Sequence, residues 1–236
     1  MKTIKYIGAL FFIIIINACN NDDDNNGLRV VYEESFIETS FLEAGETLPP
    51  AVNWSEERGT FSATTLPNTA PDDLFNRNTL SIDEETGVLS WDRSIPLGET
   101  EVFITASNSI ESTTVTVTIK NTFIEGLFYG GFNNDVTDNS NESFGSGSSI
   151  NFTKEGTAGL LGISDGDIFS MEGTWIIDGS IMTVNFDNNN RVLKGYLNGR
   201  SGEPGATFRG EWGEGLDQNN NIENINGAFR FLLEGE

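Results

Sequence analysis

From residue 123 to the end of the chain, apolar and polar residues alternate with a period of two, the pattern of strands that bury one face. One face collects Phe128, Phe132, Ile150, Phe152, Trp175, Ile177, Met182, Val184 and Phe186. It continues through Leu193, Leu197, Phe208, Trp212, Phe229, Phe231 and Leu233. The other face carries Asn151, Thr153, Thr183, Asn185, Lys194, Thr207, Arg209, Glu211 and Arg230. Glycine-then-aromatic units recur: Gly126 before Phe128, Gly173 before Trp175, Gly195-Tyr196, Gly210 before Trp212, and Gly227 before Phe229. Asp178-Gly179 and the Asn-rich residues 187–190 supply tight turns. About eight strands in an up-and-down meander are expected. A meander with one apolar face buries it, and loses its edges, by closing into a small barrel.

Residues 28–122 show a different texture of short strands separated by turns. Strands are expected over 28–32, 35–42, 80–83, 88–91, 101–107 and 112–120; in the last, Val115, Val117 and Ile119 alternate with Thr114, Thr116 and Thr118. Pro49-Pro50, Pro67 and Pro71 mark the middle of this region as loops or edges. The fold class expected is all-β: a β-sandwich over 28–122, followed by a small up-and-down antiparallel β-barrel over 123–236.

The run Leu80-Ser81-Ile82-Asp83-Glu84-Glu85-Thr86-Gly87-Val88-Leu89-Ser90-Trp91, then Ile95-Pro96-Leu97-Gly98, then Val102-Phe103-Ile104-Thr105-Ala106-Ser107-Asn108, resembles Ig-like and dystroglycan-type cadherin-like domains over residues 65–120. The resemblance implies an Ig-like sandwich used as a spacer or adhesion module. The calcium sites of cadherins are not implied, because residues 120–125 lack the acidic junction pattern. The barrel resembles lipocalin-like and avidin-like barrels in texture only.

The N-terminus adds a location. Lys2 and Lys5 precede an apolar run over residues 7–16, which is too short for the roughly 20 residues that span a bilayer. Asn17-Ala18-Cys19 follows, so residues 1–18 are expected to be a signal peptide. The context of Cys19 resembles the lipobox of bacterial lipoproteins, which implies an acyl lipid on Cys19 as anchor. Asp22, Asp23 and Asp24, within a spacer over 19–27, resemble the export signal of surface-exposed outer-membrane lipoproteins. The location implied is the outer membrane, facing outward.

Composition narrows the chemistry. The chain has 36 acidic residues against 13 basic ones, and loss of Lys2 and Lys5 with the signal leaves 11. So acidic a surface repels phosphate backbones, and no nucleic-acid partner is expected. There is no histidine, and Cys19 is the one cysteine. That excludes Ser-His-Asp and Cys-His catalysis and removes the commonest zinc ligand. Residues 22–33 fit the letters of an EF-hand loop, but the entering helix would be the signal, and Arg29 falls where an apolar residue belongs. Asp217, Asn219 and Asn221 imitate the start of such a loop, with Ile222 in the glycine's place. No metal site and no cofactor other than the lipid is expected, beyond weak calcium binding at an Asn-rich loop. Carboxylate pairs such as Asp165 with Asp167, or Glu211 with Glu214, are read as solvated loop charge.

Candidate ligand-binding residues are Trp175 and Trp212, as a stacking platform, and Phe144, as a lid over the barrel mouth from the polar loop 131–149. The expected role is a non-enzymatic binding or adhesion module with a glycan or protein partner. The alternatives are carriage of a glycan or small apolar ligand inside the barrel, a structural role in an envelope assembly, and carboxylate-dependent glycoside hydrolysis. Cys19→Ala should release the protein from the membrane fraction. Unchanged fractionation would refute the lipid anchor.

Overall fold

The computed structural model describes residues 27–65, 73–134, 144, 147–164, 167–186, 190–201 and 205–233. The signal segment, Cys19 and Asp22, Asp23 and Asp24 lie outside the described residues, as does Asp165.

The N-terminal part consists of short strands in three sheets. β1 (Arg29–Val31) pairs with β4 (Ala51–Asn53). β2 (Phe36–Ser40), β5 (Thr60–Thr64), β8 (Gly98–Ser107) and β9 (Ser112–Thr122) form a four-stranded sheet in the order β2-β9-β8-β5, with β2 parallel to β9. β3 (Gly45–Glu46), β6 (Leu80–Ile82) and β7 (Leu89–Trp91) form a third sheet in the order β3-β7-β6. One turn of helix, α1 (Asp73–Asn76), carries Asp73, whose carboxylate pairs with Arg77.

The sheets share a core of Phe61, Leu80, Leu89, Trp91, Ile95, Val102, Ile104, Val117 and Ile119. The period-2 pattern of β8 and β9 explains it: Val102 sits opposite Val117, and both point inward. Tyr32 follows β1, and its hydroxyl donates to the carbonyl of Gly87, a glycine held at φ +73° in the turn before β7. Burial pushes this phenol up to about 12. The proline-marked middle, expected to be loop or edge, contains two strands, both at the edge of their sheet as expected. β4 directly follows Pro50, and β5 buries Phe61 against the core. Prolines punctuate these strands from outside, which leaves their ladder donors intact.

The C-terminal part is a closed antiparallel barrel. Its strands run in sequence: β10 (Gly126–Asn133), β11 (Ser148–Phe152), β12 (Thr157–Ser164), β13 (Asp167–Asp178), β14 (Ile181–Phe186), β15 (Arg191–Gly199), β16 (Ala206–Leu216) and β17 (Ile222–Leu233). β17 pairs back onto β10 and closes the ring. The expected eight-stranded meander is therefore the observed one, and the alternation sorts inward from outward side chains. Phe128, Phe152, Phe186, Phe208, Phe229 and Phe231 are fully buried within it. β12 and the first half of β13 add Leu160, Phe169 and Met171 to that core.

The two ends of the barrel differ. The chain enters at Phe123, and the turns 153–156 and 179–180 share that end. There Phe123 makes edge contacts with Phe41 (5.5 Å), Phe128 (6.1 Å), Phe152 (5.9 Å) and Trp175 (5.4 Å). Leu97, Phe41 and Leu42, all from the N-terminal part, join the barrel core at this plug. Gly98 and Gly179 also pack closely, so that a Cβ on Gly98 would sit 3.3 Å from the Gly179 Cα. The other end carries Asn133, the last residue of β10, and the turn 217–221. Phe123→Ala should cost about 3–5 kcal/mol, the range for deleting a buried aromatic ring, read as a lowered unfolding midpoint in denaturant. An unchanged midpoint would show that the plug is dispensable.

Candidate functional site

The inward side chains of the barrel pack as a continuous aromatic and aliphatic core. The site is a groove of about 890 Å3 on the outer flank, lying across β15, β16 and β17. Parity along the strands decides what faces it. In β15, Leu193, Gly195 and Leu197 point inward, so Lys194, Tyr196 and Asn198 point outward. In β16, Phe208 and Trp212 are inward, which puts Thr207, Arg209 and Glu211 outside. In β17, Phe229 and Phe231 are inward and Ala228 and Arg230 outside.

Register then brings these residues into rows. Ile181, Tyr196, Arg209 and Arg230 lie side by side across four strands, and Thr183, Lys194, Glu211 and Ala228 form the next row. Asn198 and Thr207 pair beyond Tyr196 and Arg209. Tyr196 is 55% exposed, so its ring is open to a partner. Lys194 Nζ donates to the Asn220 carbonyl (2.6 Å) and to Asn221 Oδ1 (3.2 Å), which ties the groove to the 217–221 loop.

A β-bulge shapes one wall. Trp212 pairs with Gly227 but Gly213 pairs with Ile225, so Asn226 is an extra residue on β17. An uninterrupted strand would point Ile225 into the core. The bulge turns it outward, where it lines the groove beside Ile222 at 47% exposure.

Trp175 and Trp212 do not form one platform, because the fold places them at opposite ends of the barrel core. Trp175 closes the plugged end, and its indole N–H donates to the Thr153 carbonyl at 3.1 Å. Trp212 closes the other end, packed on Phe132 (5.8 Å), with its N–H donated to the Asn133 carbonyl at 3.1 Å. Arg191 lies over the Trp212 ring at 4.9 Å and completes that lid. Burial pulls this guanidinium below its ordinary value, and the facing Glu214 draws it back up. Phe144, expected over the barrel mouth, lines the flank groove instead.

Asp217 acts as the organiser of its loop. Its Oδ1 accepts backbone N–H bonds from Asn219 and Asn221, both at 2.8 Å, and Asn220 adopts φ +59°. The Asn221 N–H is the main reason its carboxyl is held below the usual range. Among the described residues no group of three or more Asp, Glu, Cys or His is arranged to hold a metal ion. Among the described residues, the groove lining contains one carboxylate, Glu211.

Sequence reasoning missed Tyr196 as a surface residue, and the signal was present. The other glycine–aromatic units place the ring two residues on, on the glycine's own face. Gly195-Tyr196 are adjacent, so the ring must point the other way.

No family model matches the chain, and no curated protein matches it. Among solved structures it is similar, over 40% of its length, to a Bacteroides fragilis chain designated "putative alpha-galactosidase", at 18% identity and a TM-score of 0.30. Over 88% of its length it is similar to the N-terminal eight Ig domains of Down Syndrome Cell Adhesion Molecule, at 10% identity and a TM-score of 0.27. The chain spans 17% and 32% of those two chains, and the fold description rests on its own strands and register.

The groove depends on close approach of β15 and β16. A Cβ on Gly210 would overlap the Lys194 carbonyl and the Gly195 Cα, both backbone atoms that cannot step aside. Gly210→Ala should lower stability by about 1–3 kcal/mol. Gly159→Ala, where the added methyl meets nothing within 4 Å, should leave stability unchanged or slightly raised. Equal unfolding midpoints for the two variants would contradict this packing.

Proposed function

We propose that the protein is a non-enzymatic binding module held at the bacterial surface. In this reading Cys19 carries the lipid, the acidic residues after it form a spacer, and the N-terminal sheets hold the barrel away from the membrane. The observation that carries it is the flank groove on a barrel whose interior is filled. Recognition by this barrel then takes place on its outer wall, and carriage of a ligand inside it is disfavoured. The plugged end supports the presenting geometry. Phe123, Leu97 and Phe41 seat the barrel on the N-terminal sheets, which leaves the flank groove accessible.

A second reading, a structural role in an envelope assembly, draws on exposed apolar residues on β12 and β13. Ile163 and Ile168 are register partners, 60% and 75% exposed, and Leu161 lies beside them at 52%.

Protease treatment of intact cells should remove the barrel from the surface; full protection would overturn surface display. On a carbohydrate array, the full chain should retain a ligand that Tyr196→Ala loses, with the variant's thermal unfolding unchanged. Retention of every ligand by Tyr196→Ala would overturn the groove as the binding site.

A further inference from the structure

The flank groove sets hydrogen-bond donors and acceptors beside apolar surface along one pair of strands. The outward residues of β15 and β16 meet in three register pairs: Asn198 with Thr207, Tyr196 with Arg209, and Lys194 with Glu211. Arg209 and Lys194 are donors, Glu211 is an acceptor, and Asn198 and Thr207 are both. From Asn198 to Lys194 the run is ~14 Å long at the rise of an extended strand. Apolar surface lies at the middle and at one end of that run. Tyr196, 55% exposed, pairs on its other side with Ile181, 38% exposed, so the two make one platform. At the Lys194 end the small Ala228 adjoins Glu211, and Ile225, turned outward by the bulge, stands beside it.

Building on the binding-module reading, we propose that this groove binds a neutral oligosaccharide lying along β15 and β16, its central ring stacked on Tyr196. A run of ~14 Å takes about three pyranose units, and a groove of about 890 Å3 has room for them. A pyranose has an apolar face and a polar rim. The face fits the Tyr196 ring and Ile181, while the rim reaches Arg209 on one side and the Asn198–Thr207 pair on another. A sugar hydroxyl donates and accepts at once, so it suits a wall that offers both functions in neighbouring pairs. An anionic ligand of the same length would run onto Glu211, and a cationic one onto Arg209. Lys194 is already oriented by its bonds to the Asn220 carbonyl and to Asn221 Oδ1, which reduces the ordering that binding requires of it. A peptide fits less well. The barrel is closed, so its strands leave no free edge to which a peptide could add its backbone hydrogen bonds.

The test is titration calorimetry on the detergent-solubilised full chain with cello-, manno-, xylo-, malto- and laminari-oligosaccharides of increasing length. At least one series should bind, with affinity rising up to about three residues and level beyond them. Added salt should leave that affinity unchanged, as expected for a ligand without charge. Tyr196→Ala should bind roughly tenfold or more weakly, and Tyr196→Phe, which keeps the ring, should recover most of the loss. Gly159→Ala, on β12 outside the groove, should bind as the parent does, and all three variants should unfold at the parent's midpoint. No binding of any series, affinity still climbing well past the third residue, strong weakening by salt, or unchanged binding by Tyr196→Ala would each overturn the proposal. The two levels remain separable. If only a charged glycan or a protein binds, and Tyr196→Ala abolishes it, the groove remains the site and only the ligand class is wrong. If Tyr196→Ala changes the binding of nothing, the groove reading falls as well.

Discussion

Phe123 is the side chain on which the arrangement of the two halves depends. It sits between the last strand of the N-terminal sheets and the first strand of the barrel, and its ring is 4% exposed. An eight-stranded barrel is just wide enough for side chains to fill, and its open ends are where that filling meets water. At one end Phe123 closes the gap by edge contacts with rings from both halves. Leu97, on the N-terminal side, is part of the barrel's own core. The halves are thereby joined by shared apolar burial as well as by the chain, and the barrel has a docked end and a free one.

The opposite end is closed by different chemistry. Trp212 packs on Phe132, and Arg191 covers the indole while facing Glu214. A guanidinium over an aromatic face keeps its charge near water while its flat surface seals the core. Aromatic side chains pack at both ends of the barrel core, and its outer wall is not uniform. β15, β16 and β17 gather cations, a tyrosine and a bulge-directed isoleucine, whereas β12 and β13 expose isoleucines at a hairpin end.

The bulge at Asn226 and the glycines of β15 and β16 show how small local features set that wall. An extra residue moves every following side chain to the other face, so one insertion exchanges a core position for a groove position. Gly195 and Gly210 permit backbone contact that any side chain would block. Neither device changes the number of strands or their order, and both change what the outer surface presents.

The sequence by itself determined the strand content, the closed meander and the division of its residues into inner and outer faces, because a two-residue period is written in the chain and a one-faced meander has one economical way to bury itself. It also contained the orientation of Tyr196, in the parity of Leu193, Leu197 and Gly195. Strands β4 and β5 were harder to see, since nearby prolines mask short segments that pair correctly. Only the tertiary structure decided that Trp175 and Trp212 close opposite ends, that Phe144 lies along the flank, and that Arg209 and Arg230 face one another. Those relations join residues far apart in the chain, or a pair of strands whose register is shifted by a single bulge. Periodicity assigns a residue to a face, but its neighbours on that face are set by register, twist and closure.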